Sequence, residues 1–535
     1  MQPVLNIEDV RSVELKLDEY GVSLAQLMYR AGAAVAREVL DMGNVRRVVV
    51  FAGTGNNGGD GWVAAEELRR RGARVRVVTP VDPDELSGDL AKNVARSARS
   101  AGVEALIDPS DDVLEDCLAH SDIAIDAMLG TGFKGLPREP FDRWIQALNA
   151  SGLRVVAADV PSGLSAQTGA IEGPCVVADV TVTMIALKPG LLSGCGRDVC
   201  GAIVVAPLAE EAEEFVVEAE PMAWRAELGD YAQVLPQQTS DTDKFKRGSV
   251  LVVGGSSRYP GAAMMSAMAA ARAGAGYVTL AVPASIAPIV QGHMLEVPVV
   301  ALPCTEDGFL SAAATDMVEA LASKCSAALV GPGMGVSTGA AHVVSTLVRK
   351  DVPLVIDADG LNCLAQLTSN NLEAFPDLLR RKEKIVLTPH RGELGRLVNK
   401  DGAPIGSLGE AIGAAQRIAW ANGGNELCVI AKGSATACVG VEATILPKPG
   451  PAALATAGSG DVLGGIMAAL LAQAKIDDAS LPTLCALACE AHGYAGSIAA
   501  DRFGSRGVIA RDIIDVIGVA MDTLFEHVSY PEMAL

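Results

Sequence analysis

Arg47-Val48-Val49-Val50-Phe51-Ala52-Gly53-Thr54-Gly55-Asn56-Asn57-Gly58-Gly59-Asp60-Gly61 reads as a strand that breaks on glycine and turns into a helix. A continuous apolar run without polar alternation marks a strand buried on both faces, as in a parallel sheet covered by helices. Gly53, Gly55 and Gly58 match the G-x-G-x-x-G spacing, with a helix expected from about Trp62 to Arg71. Similar apolar runs recur at Val75–Val78, Val155–Ala158, Val250–Val253 and Leu354–Asp357, separated by Ala-rich segments of helical period. The chain therefore reads as α/β, with two doubly wound, three-layer domains and ligand sites at the carboxyl ends of the strands.

A length of 535 residues suggests two domains of roughly 200–300 residues each. The sharpest change in composition falls between about 208 and 245. There an acidic run (Glu210, Glu211, Glu213, Glu214, Glu218, Glu220), read as a solvated helix face, precedes the polar stretch Gln237–Thr242. We expect domains over residues 1–220 and 241–535, joined by a linker at 221–240. Half of the residues are apolar, yet no stretch approaches the roughly 18 uncharged residues of a membrane span. The N-terminus carries neither a basic n-region nor an apolar h-region. Eleven cysteines without a Cys-x-x-Cys pair fit buried free thiols in a reducing cytoplasm. A net charge of −21 argues against nucleic acid or an anionic membrane as partner.

In the first half, a dehydrogenase would want an acidic residue ending the second strand for the ribose hydroxyls. Here Asp82 comes late, behind Pro80. Asn56, Asn57 and Asp60 instead bring side-chain oxygens into the glycine loop. Two further strands end in Asp126, before Gly130-Thr131-Gly132-Phe133-Lys134-Gly135, and in Asp159, before Val160-Pro161-Ser162-Gly163. Such oxygens can converge on a hard cation. The alternative is that Asp126 and Asp159 cap the helices that follow.

These motifs, with Lys188-Pro189-Gly190 and the upstream Leu27-Met28-Tyr29-Arg30-Ala31-Gly32, resemble the NAD(P)H-hydrate epimerase domain, Tyr29 standing where a more polar residue is expected. The resemblance implies interconversion of the R and S epimers of a hydrated nicotinamide cofactor beside a potassium ion. By motif, Asn57, Asp126 and Ser162 would hold the ion. The hydrate would lie along Asn56, Asn57, Gly58, Gly59 and Asp60 and along Gly130, Thr131, Gly132, Phe133, Lys134, Gly135 and Leu136. Asp159 and Lys134 would be the acid–base pair.

In the second half, Ala457-Gly458-Ser459-Gly460-Asp461-Val462-Leu463 leaves free N–H groups at a helix start, an anion cradle with a carboxylate beside it. That layout suits phosphoryl transfer to a substrate hydroxyl. Val330–Gly335, Asp357–Asn362, Leu387–Glu393 and Ala431–Thr436 each follow a predicted strand. With the cradle, these motifs resemble the ADP- or ATP-dependent NAD(P)H-hydrate dehydratase domain, a ribokinase-like fold, from about Lys244 to Gly518. The resemblance implies nucleotide binding by Lys432, Gly433, Ser434, Ala435, Thr436 and Gly460. Ala262, Gly335, His390 and Asp461 would contact the hydrate, with Asp461 as the base and magnesium accompanying the nucleotide. His390 alone of the six histidines falls in a motif.

Together the halves imply a repair enzyme that epimerises hydrated cofactor (NADHX, NADPHX) and dehydrates the S form. ADP is the expected donor, ATP the alternative. A closed homo-oligomer is the base-rate expectation. The competing reading keeps the second half as a sugar or vitamin kinase and makes the first an accessory nucleotide-binding domain. It gives no reason for Asn57, Asp126, Asp159 and Ser162 to recur at strand ends.

Overall fold

The computed structural model describes all residues except 44, 87, 236–242, 369–382, 400–401, 423, 425, 475, 478–479 and 530–535, and the side chains of 422 and 527–529. The chain divides into two compact units, Gln2–Met222 and Ala223–Leu535, with Met1 assigned to the second.

In the first unit a short strand β1 (Gln2–Val4) precedes β2 (Arg47–Ala52), β3 (Arg74–Thr79), β4 (Glu104–Ile107), β5 (Ile123–Ala127), β6 (Arg154–Ala158), β7 (Val180–Met184) and β8 (Ala202–Ala206). β2 to β8 form one parallel sheet in the order β4-β3-β2-β5-β6-β7-β8. Successive residues of β2 enter different cores. Val48, Val50 and Ala52 pack with Trp62 and Leu68, whereas Val49 and Phe51 pack with Trp144 and Leu148. Burial on both faces is why the run is apolar throughout. Strand order reverses between β2 and β5, so the loops after these strands flank the crevice where such sheets bind ligands.

The helix after β2 runs Asn56–Arg70, starting six residues before the expected Trp62. Its glycines lower helix propensity, which hid the start from the sequence, but they permit close approach. A Cβ on Gly58 would sit 2.0 Å from the Gly53 carbonyl oxygen. The acidic run supplies helix Ala212–Glu218, with Ala212 and Val216 buried and Glu213 and Glu214 exposed.

The second unit contains β9 (Ala223–Arg225), β10 (Ser249–Val253), β11 (Tyr277–Pro283), β12 (Val299–Leu302), β13 (Ala327–Val330), β14 (Leu354–Ile356), β15 (Ile385–Leu387), β16 (Leu427–Ala431), β17 (Ala437–Val439) and β18 (Thr444–Leu446). Their order is β9-β18-β17-β16-β15-β14-β13-β10-β11-β12. β10 to β16 are parallel, while β16, β17 and β18 pair antiparallel and β9 joins β18 in parallel. Helices Pro260–Arg272 and Ser459–Gln473 meet in an Ala-rich core that includes Ala263, Ala267, Val462 and Ile466. The methionines of the first of these helices, Met264, Met265 and Met268, pack against the same core. Part of the stretch expected to be a linker is ordered into this unit: β9 pairs with β18, and Ala226, Tyr231 and Val234 are buried. Residues 236–242, including the polar stretch at 237–242, lie outside the described residues.

Candidate active sites

In the first unit a cavity of about 450 Å³ opens at the carboxyl ends of β2 and β5. Asn56, Asn57, Asp60, Gly130, Thr131, Gly132, Phe133 and Asp159 line it. Gly58, Gly59, Lys134, Gly135 and Leu136 do not; Gly58 and Gly59 are buried in the first turn of the helix, while Lys134 and Leu136 are exposed.

Asp126, at the end of β5, is fully buried. Its Oδ1 accepts the Ser162 hydroxyl at 2.6 Å and the Met128 N–H at 3.2 Å, and its Oδ2 accepts the Ser162 N–H at 2.7 Å. Burial pushes its carboxyl up to about 6 against these hydrogen bonds. Ser162 Oγ also accepts the Leu129 N–H at 2.8 Å, which fixes the start of the loop over the cavity. Asn57 packs against Gly130, whose Cβ would lie 3.1 Å from that of Asn57. Both polar atoms of the Asn57 side chain are buried and, among the described residues, without a hydrogen-bond partner. An orphaned amide oxygen against Gly130, with a buried carboxylate and a hydroxyl anchoring the same loop at Leu129, is a donor set suited to a hard cation.

Asp159 follows β6 with φ of +66°, a left-handed conformation held by its N–H donating to the Val182 carbonyl at 2.7 Å. Its Oδ1 accepts Lys188 Nζ at 2.6 Å, and Thr183 Oγ1 and the Met184 N–H at 3.3 Å each. Lys188 is fully buried and donates also to Thr183 Oγ1 and the Met184 carbonyl, both at 2.8 Å. The lysine that meets Asp159 is therefore Lys188, from the Lys188-Pro189-Gly190 motif, and not Lys134.

Helix Ile7–Tyr20 brings Arg11 and Glu14 to the cavity, and neither was singled out from the sequence. The signal was present, because Glu14 lies on the helical face that buries Val10 and Leu17. Burial first, then the charge of Asp159, pushes Glu14 up, with Lys188 and Arg11 pulling the other way. Burial, then Asp159 and Glu14, pushes Asp60 well above the usual carboxylate range. Carboxyls that resist ionisation beside one that is ion-paired are an arrangement for acid–base work.

In the second unit Gly458, with φ of +86°, turns the chain into helix Ser459–Gln473. The helix start lies against a partly buried ion pair. Lys432 Nζ donates to Asp357 Oδ1 at 2.9 Å, and Thr388 Oγ1 donates to the same oxygen at 2.5 Å. A Cβ on Gly460 would lie 3.4 Å from Lys432 Nζ, and one on Gly464 3.5 Å from Asp357 Oδ2. Asp461 is pushed up to about 7 by burial and by Asp357, with Lys432 opposing. Burial lowers Lys432, but Asp357 and Glu393 outweigh it and leave the ammonium raised.

His390 caps helix Arg391–Val398. Its Nδ1 accepts the N–H groups of Gly392 and Glu393 at 3.0 and 3.2 Å, while Glu393 Oε2 accepts the His390 N–H at 2.9 Å. The cap requires an unprotonated Nδ1, and burial, Lys432 and Arg396 all lower its proton affinity. Glu393 is buried and pushed up to about 7, chiefly by desolvation. Gly335 donates its N–H to Asp359 Oδ2 at 2.9 Å. Ala262 packs under the same glycine loop, its Cβ 2.8 Å from where a Cβ on Gly333 would be. The Lys432 N–H donates to the Pro389 carbonyl at 2.8 Å, which ties the 432–436 loop to the His390 segment. Asp357, Asp359 and Glu393 lay in quoted motifs without a role. Their signal is an acid at a strand end or at the third position after a helix cap.

The two folds and their strand-end sites define a two-unit α/β protein, each unit an open, largely parallel sheet with its candidate site at the carboxyl ends of the strands. Residues 24–190 match the family model described as YjeF-related protein N-terminus, and residues 250–518 that of NAD(P)H-hydrate dehydratase. A bifunctional NAD(P)H-hydrate repair enzyme of Salinibacter ruber is 37% identical over 96% of this chain and 95% of its own length. One from Moorella thermoacetica is 33% identical over 96% and 95%. A solved ribokinase-like superfamily protein of Enterococcus faecalis is 22% identical, covering 57% of this chain and 96% of that one, with a TM-score of 0.46. The chain belongs to the bifunctional NAD(P)H-hydrate repair enzyme family. It epimerises hydrated nicotinamide cofactor and dehydrates it.

Proposed function

We propose that the hydrate is epimerised in the cavity of the first unit, assigned to residues 1–220, and dehydrated at the Asp461 cradle of the second, assigned to 241–535. The observation that carries this reading is Asp461 itself: a carboxylate on the first turn of a glycine-capped helix, beside the Lys432–Asp357 pair. The hydroxyl at C6 of the hydrate is a poor leaving group. Asp461 accepts its proton as the phosphoryl group arrives, and the Gly458–Gly460 amides bind the developing charge. Transfer leaves AMP from the ADP donor; phosphate then departs from C6, pushed by the ring nitrogen lone pair, and C5 loses a proton to water, so that the C5–C6 double bond of the dihydronicotinamide is restored. The Lys432–Thr436 loop and Gly460 bind the nucleotide, with Lys432 held in place by Asp357. Ala262, Gly335 and His390 contact the hydrate. Magnesium, when bound with the nucleotide, neutralises phosphate charge. ADP is the proposed donor and ATP the alternative.

In the first unit Asp159 serves as an acid–base group on the carbinolamine carbon, with Lys188 taking the place beside it that the sequence reading gave to Lys134. Asn57, Asp126 and Ser162 would hold potassium, whose charge supports the buried carboxylate and the loop above the cavity. Substrates are small molecules (NADHX, NADPHX and nucleotide); nucleic acid and membrane are not proposed as partners. No helix among the described residues is long and apolar enough to cross a membrane. We assign the protein to the cytoplasm, as a homo-oligomer.

Incubating chemically hydrated NADH with ADP and magnesium tests the reading, with absorbance followed at the dihydronicotinamide band. Full recovery from both epimers is expected. Recovery of about half would assign no epimerase to the first unit, and none would overturn the second.

Asp126→Ala removes the acceptor of three hydrogen bonds and the one formal charge of the proposed cation cage. Epimerisation is expected to fall at least tenfold, on the scale of losing hydrogen bonds to a charged group. Dehydration of pure S-hydrate should stay within about twofold, the scale expected of an independent site. Equal loss of both activities, or unchanged epimerisation, would dismiss the cage.

A further inference from the structure

The epimerase cavity is acidic, yet its substrate is a dinucleotide carrying a diphosphate. Glu14, Asp60 and Asp159 line it, and Lys188 is already committed to Asp159 at 2.6 Å. Arg11 is the cation left over. It lines the same cavity from helix Ile7–Tyr20, is exposed, and makes no side-chain hydrogen bond or ion pair among the described residues. A Cβ on Gly132 would lie 3.5 Å from Arg11 Nη2, so the guanidinium sits over the glycine loop that roofs the cavity. The neighbouring Val10, Val13 and Leu17 are buried and anchor the helix. Arg11 therefore starts from a fixed backbone and, among the described residues, breaks no hydrogen bond or ion pair on binding an anion. The family match begins at residue 24, so this helix lies outside it.

We propose that the Arg11 guanidinium binds a phosphate of the hydrated dinucleotide in the epimerase cavity. This rests on the reading of that cavity as the epimerase site. A guanidinium fork matches phosphate oxygens in two parallel hydrogen bonds, which an isolated ammonium does not. Two phosphates carry this chemistry, the diphosphate common to both cofactors and the 2′-phosphate of the NADP form. Contact with either makes Arg11 a binding residue that acts equally on ground and transition states, so its loss appears in KM and not in kcat.

The test uses the full chain with Arg11→Met, which keeps the aliphatic stem, and Arg11→Lys, which keeps the charge. Epimerisation of purified NADHX and NADPHX epimers is followed chromatographically. Arg11→Met is expected to raise KM roughly tenfold to a hundredfold, the equivalent of one charge-assisted contact, with kcat within about threefold and partial recovery in Arg11→Lys. A rise for both substrates assigns the diphosphate, and a rise for NADPHX alone assigns the 2′-phosphate. Unchanged KM for both, or a lower kcat at unchanged KM, overturns the proposal. Asp159→Asn run in parallel separates the two ideas. If it keeps the wild-type rate, the cavity reading itself fails; if it loses activity while Arg11→Met is silent, only the role of Arg11 falls.

Discussion

Asp159→Asn is expected to slow interconversion of the R and S hydrates by about 10²–10⁴-fold, the usual range for losing a positioned acid–base group. The substitution keeps an oxygen where Lys188, Thr183 and the Met184 N–H now donate, and removes only the charge. Lys188 is fully buried, so its ammonium loses its counter-ion. Some loss of stability follows, smaller than the ~3–5 kcal/mol of breaking a buried pair outright, because the hydrogen bond survives. The neighbours respond as well. The Asp159 charge adds to the upward shift of Asp60 and Glu14, so removing it lets both ionise more readily. Any pH limb they contribute to residual epimerisation should move to lower pH. Spontaneous epimerisation sets a floor, so rates must be read over short times at neutral pH. A wild-type rate with an unchanged melting temperature would make Asp159 structural and remove the cavity's central residue.

Strand–loop–helix units were legible because strands buried on both faces must be continuously apolar. The runs at Val48–Ala52 and Val250–Val253 show it, and every motif placed after such a run lies at a strand's carboxyl end. Less visible were elements whose signal is diluted or distant. The Asn56 helix start is masked by glycines that tertiary packing overrides. The β17–β18 hairpin and β9 are three-residue strands, too short for a period. Lys188 stands in a motif of its own with no local tie to Asp159, since pairing across 29 residues depends on how β7 delivers the chain. Arg11 lies more than a hundred residues from Gly132, and Glu14 more than a hundred from Asp159. Only Glu14, a charge on an apolar helical stripe, left a local trace.

Asp461→Asn should abolish net repair while leaving nucleotide binding intact. The Gly458–Gly460 amides and the Gly433–Thr436 loop do not depend on the carboxylate, and removing a negative charge beside bound phosphates raises affinity slightly. Turnover should fall at least about a hundredfold, the low end of general-base effects. R and S hydrates would then interconvert without returning to reduced cofactor. The pH dependence adds a second signature. A base pushed up to about 7 must lose its proton to act, so kcat/KM in the wild type rises with pH through about 7, and the variant lacks that limb. Stability carries the opposite sign. A carboxyl whose folded pKa is raised binds its proton more tightly when folded, so ionising it costs stability as pH rises from the unfolded value toward about 7. Asparagine removes that cost: the variant should melt above the wild type at pH 8, and the difference should vanish below about pH 4, under the ordinary Asp value. Ordinary turnover in the variant, or failure caused only by lost nucleotide binding, would make Asp461 structural and leave phosphoryl transfer without its base.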